Sequence, residues 1–287
     1  MPKYEIKSWR RPNDRRPAFG VIHPFIPTTK IFDNLSIISD SCDACFLLET
    51  TEGLILIDAM EPEQRFYDAI IKGIEDIGHE PQDVKIILIT HGHGDHYGAM
   101  AALKQATGAK LYMGRLEEDL AKNYPVGHFP AMDADADVYI EDGDDVILGG
   151  TSVRCIMTPG HTKGCFSFVI PVTDEGVSHK MGLWGGTGLL PGVNVFQYLE
   201  SLEKYNSICA DLGVDGAISN HPACDDGVIR AQMCREIGEG LPNPYVWTTE
   251  IFLAYNKRFA RMCENMLKIA PDGIVPERKE FMPKDKE

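Results

Sequence analysis

Residues 91–96 read His-Gly-His-Gly-Asp-His and follow directly on the apolar run Lys85-Ile86-Ile87-Leu88-Ile89-Thr90. A strand that stops at a glycine-punctuated turn can aim these three imidazoles and one carboxylate at a single point, because glycine lets the backbone bend where other residues would clash. Imidazole nitrogen combined with carboxylate oxygen suits zinc or iron better than magnesium or calcium, which take oxygen ligands. A polar loop whose histidines merely face solvent does not account for such density beside an apolar strand. The hexapeptide is read as a metal site, and any fold for this chain must put a strand end there.

One turn cannot complete the shells of two ions, so further ligands are expected at other strand ends. Two histidines have that context. His161 lies in Thr158-Pro159-Gly160-His161-Thr162, after the apolar stretch 153–157, and His221 lies in Asn220-His221-Pro222, after 216–219. A lone histidine at a strand end is ordinarily a surface residue. Two of them, alongside a motif that needs partners, read as ligands. His23, His79 and His179 lack the context and stay unassigned; His128, beside Phe129 in the loop-like stretch 123–145, is a pocket candidate.

The patterning around these turns alternates. Apolar runs predict strands at 44–48, 54–58, 85–90, 110–113, 153–157, 166–172, 180–184 and 216–219. Helical periodicity intervenes. Phe66, Ile70, Ile74 and Ile77 share one face after Pro62; the small-residue stretch 97–107 suits close packing on a sheet; 195–212 carries Phe196, Leu199, Leu202 and Ile208; and Phe252, Tyr255, Phe259, Met262, Met266 and Ile269 step by three and four. No Ser/Gly-rich linker divides the two halves. The chain is therefore read as one α/β domain, 26–270, of two mixed sheets faced by helices, between an N-terminal arm, 1–25, and a C-terminal tail, 271–287.

Charge narrows the partners. Lys and Arg number 28 against 43 Asp and Glu, a net charge of −15, and an acidic surface repels nucleic acid, whose affinity rests on phosphate neutralisation. The cluster Lys3, Lys7, Arg10, Arg11, Arg15 and Arg16 reads as a solvated arm or a contact for a homodimer. No apolar run reaches the roughly 20 residues needed to span a bilayer, and the first twenty residues hold no continuous apolar stretch. The expectation is a cytoplasmic protein with reduced thiols, or one whose leader is absent; the eight cysteines, including the single pair Cys42-Asp-Ala-Cys45, do not suggest a disulfide scaffold.

Four pieces in this order, Leu54-Ile55-Leu56-Ile57-Asp58, His91–His96, Thr158–Thr162 and Ser219-Asn220-His221-Pro222, resemble the metallo-β-lactamase superfamily over about residues 25–270. The resemblance implies an αββα sandwich with two zinc ions at one edge. It implies that His91, His93 and His161 hold the first zinc, and Asp95, His96 and His221 the second. Asp58 would support the site from behind the ligands. Most hydrolases of the superfamily carry a bridging aspartate between the last two histidines; here Leu183-Trp184-Gly185-Gly186-Thr187-Gly188 stands instead, with no acid and no cysteine. That is similar to the third metallo-β-lactamase subclass, in which a hydroxyl residue occupies the place, matched by Thr187. Phe129 is likewise similar to a loop residue there. Leu189 stands where that subclass has a second serine, and Val214 where its disulfide begins.

The chemistry implied is hydrolysis of an amide, in first place the C–N bond of a cyclic one such as a β-lactam, by hydroxide generated on the paired metals. Asp95 would bind metal and orient or relay the proton. Thr187 and Phe129 would contact a small, carbonyl-bearing, anionic substrate. A cytoplasmic lactonase, amidase or thioesterase uses the same ligand set. A diiron redox protein of the same fold is a second alternative, although its usual glutamate at position 93 is histidine here. A binding module that has lost its catalysis is a third, against which all the ligand positions are filled.

Overall fold

A computed structural model describes residues 23–127, 129–236 and 240–277. The first sheet has seven strands in chain order: β1 (Thr29–Phe32), β2 (Leu35–Ser39), β3 (Ala44–Thr50), β4 (Gly53–Ile57), β5 (Val84–Leu88), β6 (Lys110–Met113) and β7 (Val138–Tyr139). β1 to β4 pair antiparallel, and β4 to β7 pair parallel through helical crossovers. The second sheet contains β8 (Asp145–Leu148), β9 (Thr151–Met157), β10 (Phe166–Asp174), β11 (Val177–Leu183) and β12 (Gly216–Ile218), with β12 parallel to β11 at one edge and β8 at the other. Both sheets are mixed.

The period-two alternation of each strand sorts its side chains into two cores. Phe46, Leu48, Ile55, Ile57, Ile86 and Leu88 face Val153, Cys155, Phe166, Phe168 and Leu183 across the sandwich. Their neighbours Leu47, Leu54, Leu56 and Ile87 turn outward against α1 (Gln64–Asp76) and the short crossover helices α2 (Gly94–Tyr97) and α3 (Met100–Thr107). α4 (Arg115–Asn123) follows β6. On the far side Ile156 and Val169 pack under α5 (Val195–Leu212) and α7 (Thr249–Ile269), while α6 (Gly227–Glu236) lies against β1. Each fully buried aliphatic or aromatic side chain contributes roughly 1.5–3 kcal/mol. The result is the αββα sandwich.

Several expectations shift in detail. β1, β2, β7 and β8 carry too short or too polar a signal to stand out in the sequence. On one face α5 buries Val195, Tyr198, Leu202, Tyr205 and Cys209; of the expected stripe Leu202 is buried and Leu199 and Ile208 pack partly buried against the same core, whereas Phe196 is 47% exposed. Tyrosines make that face because their hydroxyls find acceptors inside, Tyr198 donating to the Gly186 carbonyl at 2.7 Å. Ile269 is likewise exposed, and α7 buries Asn256 and Cys263 with Phe252 and Phe259. The segment from 271 is held as far as it is described: Val275 N–H donates to Val193 O at 3.0 Å and Val195 N–H to Gly273 O at 2.7 Å. Residues 1–22 of the basic arm, and with them its role in a dimer, lie outside the described residues, as does His128. All eight cysteines are free. Among the described residues no helix is long and apolar enough to cross a membrane.

Candidate metal centre

The strand ends β4, β5, β9 and β12 open onto one edge of the sandwich, and each delivers a polar side chain there. After β5 the chain stays extended to His93 (φ −94°, ψ 147°) and then enters α2, whose first turn holds Asp95 and His96. This change from extended to helical backbone sends His91 and His93 one way and Asp95 and His96 another. The intervening glycines are required by close approach. A Cβ on Gly92 would lie 2.3 Å from the Glu117 carbonyl oxygen, and one on Gly94 would lie 2.1 Å from the Phe129 ring. His161 follows β9 on a turn where Gly160 adopts φ +150°, and His221 follows β12 through Ser219 and Asn220.

These turns meet. His93 Nδ1 lies 3.1 Å from His91 Nε2 and 3.1 Å from His161 Nε2. Beside that triad, Asp95 Oδ2 lies 3.6 Å from His96 Nε2 and 3.7 Å from His221 Nε2. The donor atoms of each group of three fall within 4.8 Å of one another. His91, His93 and His96 are buried, whereas Asp95, His161 and His221 are partly open to solvent.

The far nitrogen of four rings is fixed by an oxygen, and this assigns the tautomer. The Thr90 hydroxyl gives its one proton to Asp58, at 2.9–3.0 Å, so it accepts from His91 Nδ1–H at 3.0 Å. His96 Nδ1–H donates to Asp58 Oδ2 at 3.0 Å, and His161 Nδ1–H to the Gly188 carbonyl at 2.7 Å. His221 Nδ1–H faces Asp43 Oδ1 at 3.1 Å and the Cys42 carbonyl at 3.3 Å. In each ring Nε2 is the nitrogen that faces the cluster. The His96 Nε2 is buried without a hydrogen-bond partner among the described residues, a cost that a cation would remove.

Electrostatics divide the two groups. Burial and the adjacent rings push His91 well below the usual imidazole value; burial and His161 hold His93 down to about 3; burial sets His161 at about 4 against the pull of Gly188. All three are neutral at pH 7. In the second group burial opposes charge, yet Asp43 and Asp95 hold His221 up to about 9 and Asp95 with Asp58 raises His96. Asp95 stays ionised, brought down to about 2 by His96, His221 and His93 despite burial. The first group offers three neutral nitrogens. The second offers a carboxylate and two basic rings, which would give up a proton on binding a cation. The donors fit a pair of divalent transition metals: neighbouring nitrogens at 3.1 Å match the edge of roughly 3.3 Å expected for tetrahedral ligands about 2.0–2.1 Å from zinc.

Asp58, which the resemblance put behind the ligands, lies fully buried beside His96. Thr187 and Phe129 are half-buried at the rim. Phe129 lies on the Gly94 backbone, and the Thr187 loop backs His161, since a Cβ on Gly186 would fall 2.3 Å from His161 Cβ. Leu189 is partly buried and packs against the core beneath α5 and α7. Sequence reasoning missed Thr90, Asp43, Asn220 and Glu117. Asn220 donates to Asp58 Oδ2 at 3.1 Å and to the Gly185 carbonyl at 3.2 Å, tying the end of one sheet to the loop of the other. Asp43 stands at the entry of a strand, the mirror of Asp58 at the exit of one, and that position was its available signal.

Comparison with known proteins agrees with this geometry. A family model described as the metallo-beta-lactamase superfamily matches residues 44–174, which include the turns of His91–His96 and His161. Among curated relatives, the chain is 35% identical over 101 residues to a probable metallo-hydrolase of Burkholderia pseudomallei (strain 1710b), covering 33% of this chain and 34% of that protein. It is 41% identical over 83 residues to a hydroxyacylglutathione hydrolase of Rhodopseudomonas palustris (strain BisB5), covering 29% of this chain and 28% of that one. These matches therefore span about a third of the relatives' own length. Among solved structures, BJP-1, a subclass B3 metallo-beta-lactamase of Bradyrhizobium japonicum, superposes with a TM-score of 0.73 at 25% identity, covering 86% of this chain and 95% of that one.

Proposed function

Because this chain carries a metallo-β-lactamase superfamily domain, we propose that it is a dinuclear zinc hydrolase acting on a small carbonyl compound, in first place the amide of a β-lactam. The observation that carries this reading is the convergence of two three-donor groups, His91, His93, His161 and Asp95, His96, His221, at one sandwich edge. Two zinc ions held there would supply Lewis acidity toward the carbonyl and bring water's pKa from 15.7 to about 7.

The chain's own residues set the rest. Asp58, Asp43, Thr90 and the Gly188 carbonyl hold four rings in one orientation, so little reorganisation is needed as charge develops. Asp95, ionised and partly open to solvent, would orient the attacking water and relay its proton. Thr187 would donate its hydroxyl to an anionic group of the substrate, and Phe129 would wall the apolar side against water. Leu189 offers no second hydroxyl beside Thr187.

A thioester hydrolase is the second reading, favoured by the 41% identity over 83 residues to a hydroxyacylglutathione hydrolase. Steady-state kinetics of the zinc-loaded protein separate the two. Nitrocefin turnover with kcat/KM on the order of 10⁴ M⁻¹s⁻¹ or above supports β-lactam hydrolysis. Turnover of a hydroxyacylglutathione thioester or a lactone without nitrocefin turnover moves the assignment to those substrates. A protein loaded with two zinc ions but inert toward the whole panel contradicts the hydrolase reading, and two irons per chain with no zinc would favour redox chemistry.

A further inference from the structure

The two turns that carry the three-histidine group belong to different sheets. His91 and His93 follow β5 of the first sheet; His161 lies between β9 and β10 of the second. Their relative position has to be fixed to a fraction of an ångström for His93 Nδ1 to stand 3.1 Å from both His91 Nε2 and His161 Nε2. One backbone bond spans the gap, from Phe166 N–H to Thr90 O at 2.9 Å.

A second connection comes from neither turn. Glu117, in the first turn of α4, is fully buried, with 0% exposure. Its Oε2 accepts the Gly92 N–H at 2.7 Å, between His91 and His93, and its Oε1 accepts the Gly164 N–H at 2.6 Å, in the turn that carries His161. A carboxylate is the one side chain of this length whose two atoms are both acceptors in ionised form. A buried acid is also expensive, so one placed here between two backbone donors has a specific task to offset that cost. The glycines record the same contact. A Cβ on Gly92 would lie 2.3 Å from the Glu117 carbonyl, and one on Gly164 would lie 2.7 Å from Leu116 Cβ and 3.0 Å from Glu117 Oε1. Both turns are glycine where α4 presses on them.

We propose that Glu117 is a positioning residue of the metal centre: its carboxylate clamps the 91–93 turn to the 161–164 turn and so sets the geometry of the three-histidine group. This rests on reading His91, His93 and His161 as metal ligands. It assigns Glu117 no contact with metal or substrate. The clamp acts on the three-histidine group ahead of Asp95, His96 and His221, because His221 comes from a turn that Glu117 does not touch.

The experiment titrates metal-depleted wild type, Glu117→Gln and Leu116→Ala with cobalt(II), following visible absorption, and with zinc against a chromophoric chelator. Glutamine keeps the size but presents one amide N–H₂ to a backbone donor. E117Q is expected to bind the first equivalent of metal about tenfold to a hundredfold more weakly, on the scale seen when groups behind metal ligands are removed, and to alter the cobalt spectrum. L116A, which trims the same helix without touching either acceptor, is expected to leave both readings at wild-type values. Glu117→Asp, which keeps two acceptors on a shorter stem, is expected to fall between them and carries the comparison if E117Q does not fold. Wild-type metal affinities and spectrum in E117Q or E117D, in a protein whose wild type binds two metals, would overturn the clamp alone. A wild type that binds no metal would overturn the metal reading and the clamp with it.

Discussion

Asp58 Oδ2 lies 3.0 Å from His96 Nδ1, and both side chains are 1% exposed. The other carboxylate oxygen accepts the Thr90 N–H at 2.8 Å, so Asp58 joins the strand end before His91 to the ring of His96. An asparagine there would turn an N–H₂ toward donors. Asp58→Asn is expected to weaken metal binding about 10–100-fold and to cost about 3 kcal/mol of stability, the scale for breaking a buried charged pair. Zinc competition titration and urea unfolding measure the two effects; a variant with wild-type zinc affinity would show that His96 needs no carboxylate behind it.

Asn220 is the corresponding tie between sheets. Its amide donates to Asp58 at 3.1 Å and to the Gly185 carbonyl at 3.2 Å while the residue itself is fully buried. Asn220→Ala leaves those acceptors short of a donor and is expected to lose about 2 kcal/mol. Its neighbour His221 should lose position with it, so the metal content should fall below wild type. Unfolding midpoints and elemental analysis test the pair of effects, and full retention of both would count against the tie.

Gly186 holds the loop behind His161. Its Cβ position falls 2.3 Å from His161 Cβ, closer than two carbons can stand. Gly186→Ala is expected to displace His161, reduce activity on any substrate, and cost about 1–3 kcal/mol as an overpacked site. A histidine NMR spectrum of the zinc-loaded protein should show the His161 ring shifted while His221 is left in place. An unchanged spectrum would mean that the loop, not the ring, gives way.

Glu118 supplies a pH dependence remote from the metals. Burial works to raise its carboxyl, but Tyr139, the Ala136 N–H and Lys122 together hold it below the ordinary value of 4.5. A folded value below the unfolded one means that the stabilisation is present above about pH 4.5 and fades as pH falls through the folded value. Glu118→Gln is therefore expected to be less stable than wild type by about 2 kcal/mol at pH 7, with the gap closing as the pH falls below the ordinary carboxyl value. A gap independent of pH would show that packing rather than charge carries the effect.

The candidate metal ligands were legible because each stands where an apolar strand breaks into a turn, and that pattern survives without knowledge of the packing. Asp58 was readable only through the family resemblance. The residues behind the ligands were not. Glu117 sits on a helix 24 residues beyond His93, and nothing local marks its carboxylate as buried. Thr90 and Asn220 look like ordinary turn residues until the sheets are stacked. The tyrosines of the α5 face were missed for a related reason: Tyr198 and Tyr205 donate their buried hydroxyls to the Gly186 and Phe168 carbonyls, which is tertiary information.

Crystals grown with zinc and measured at its absorption edge offer the sharpest check on the paired centre. Two anomalous peaks are expected in each chain, one about 2.0–2.1 Å from His91 Nε2, His93 Nδ1 and His161 Nε2, and one at similar distance from Asp95, His96 and His221. No peak among these side chains, or a peak bound to fewer than three of them, would contradict the metal centre and the hydrolase built on it.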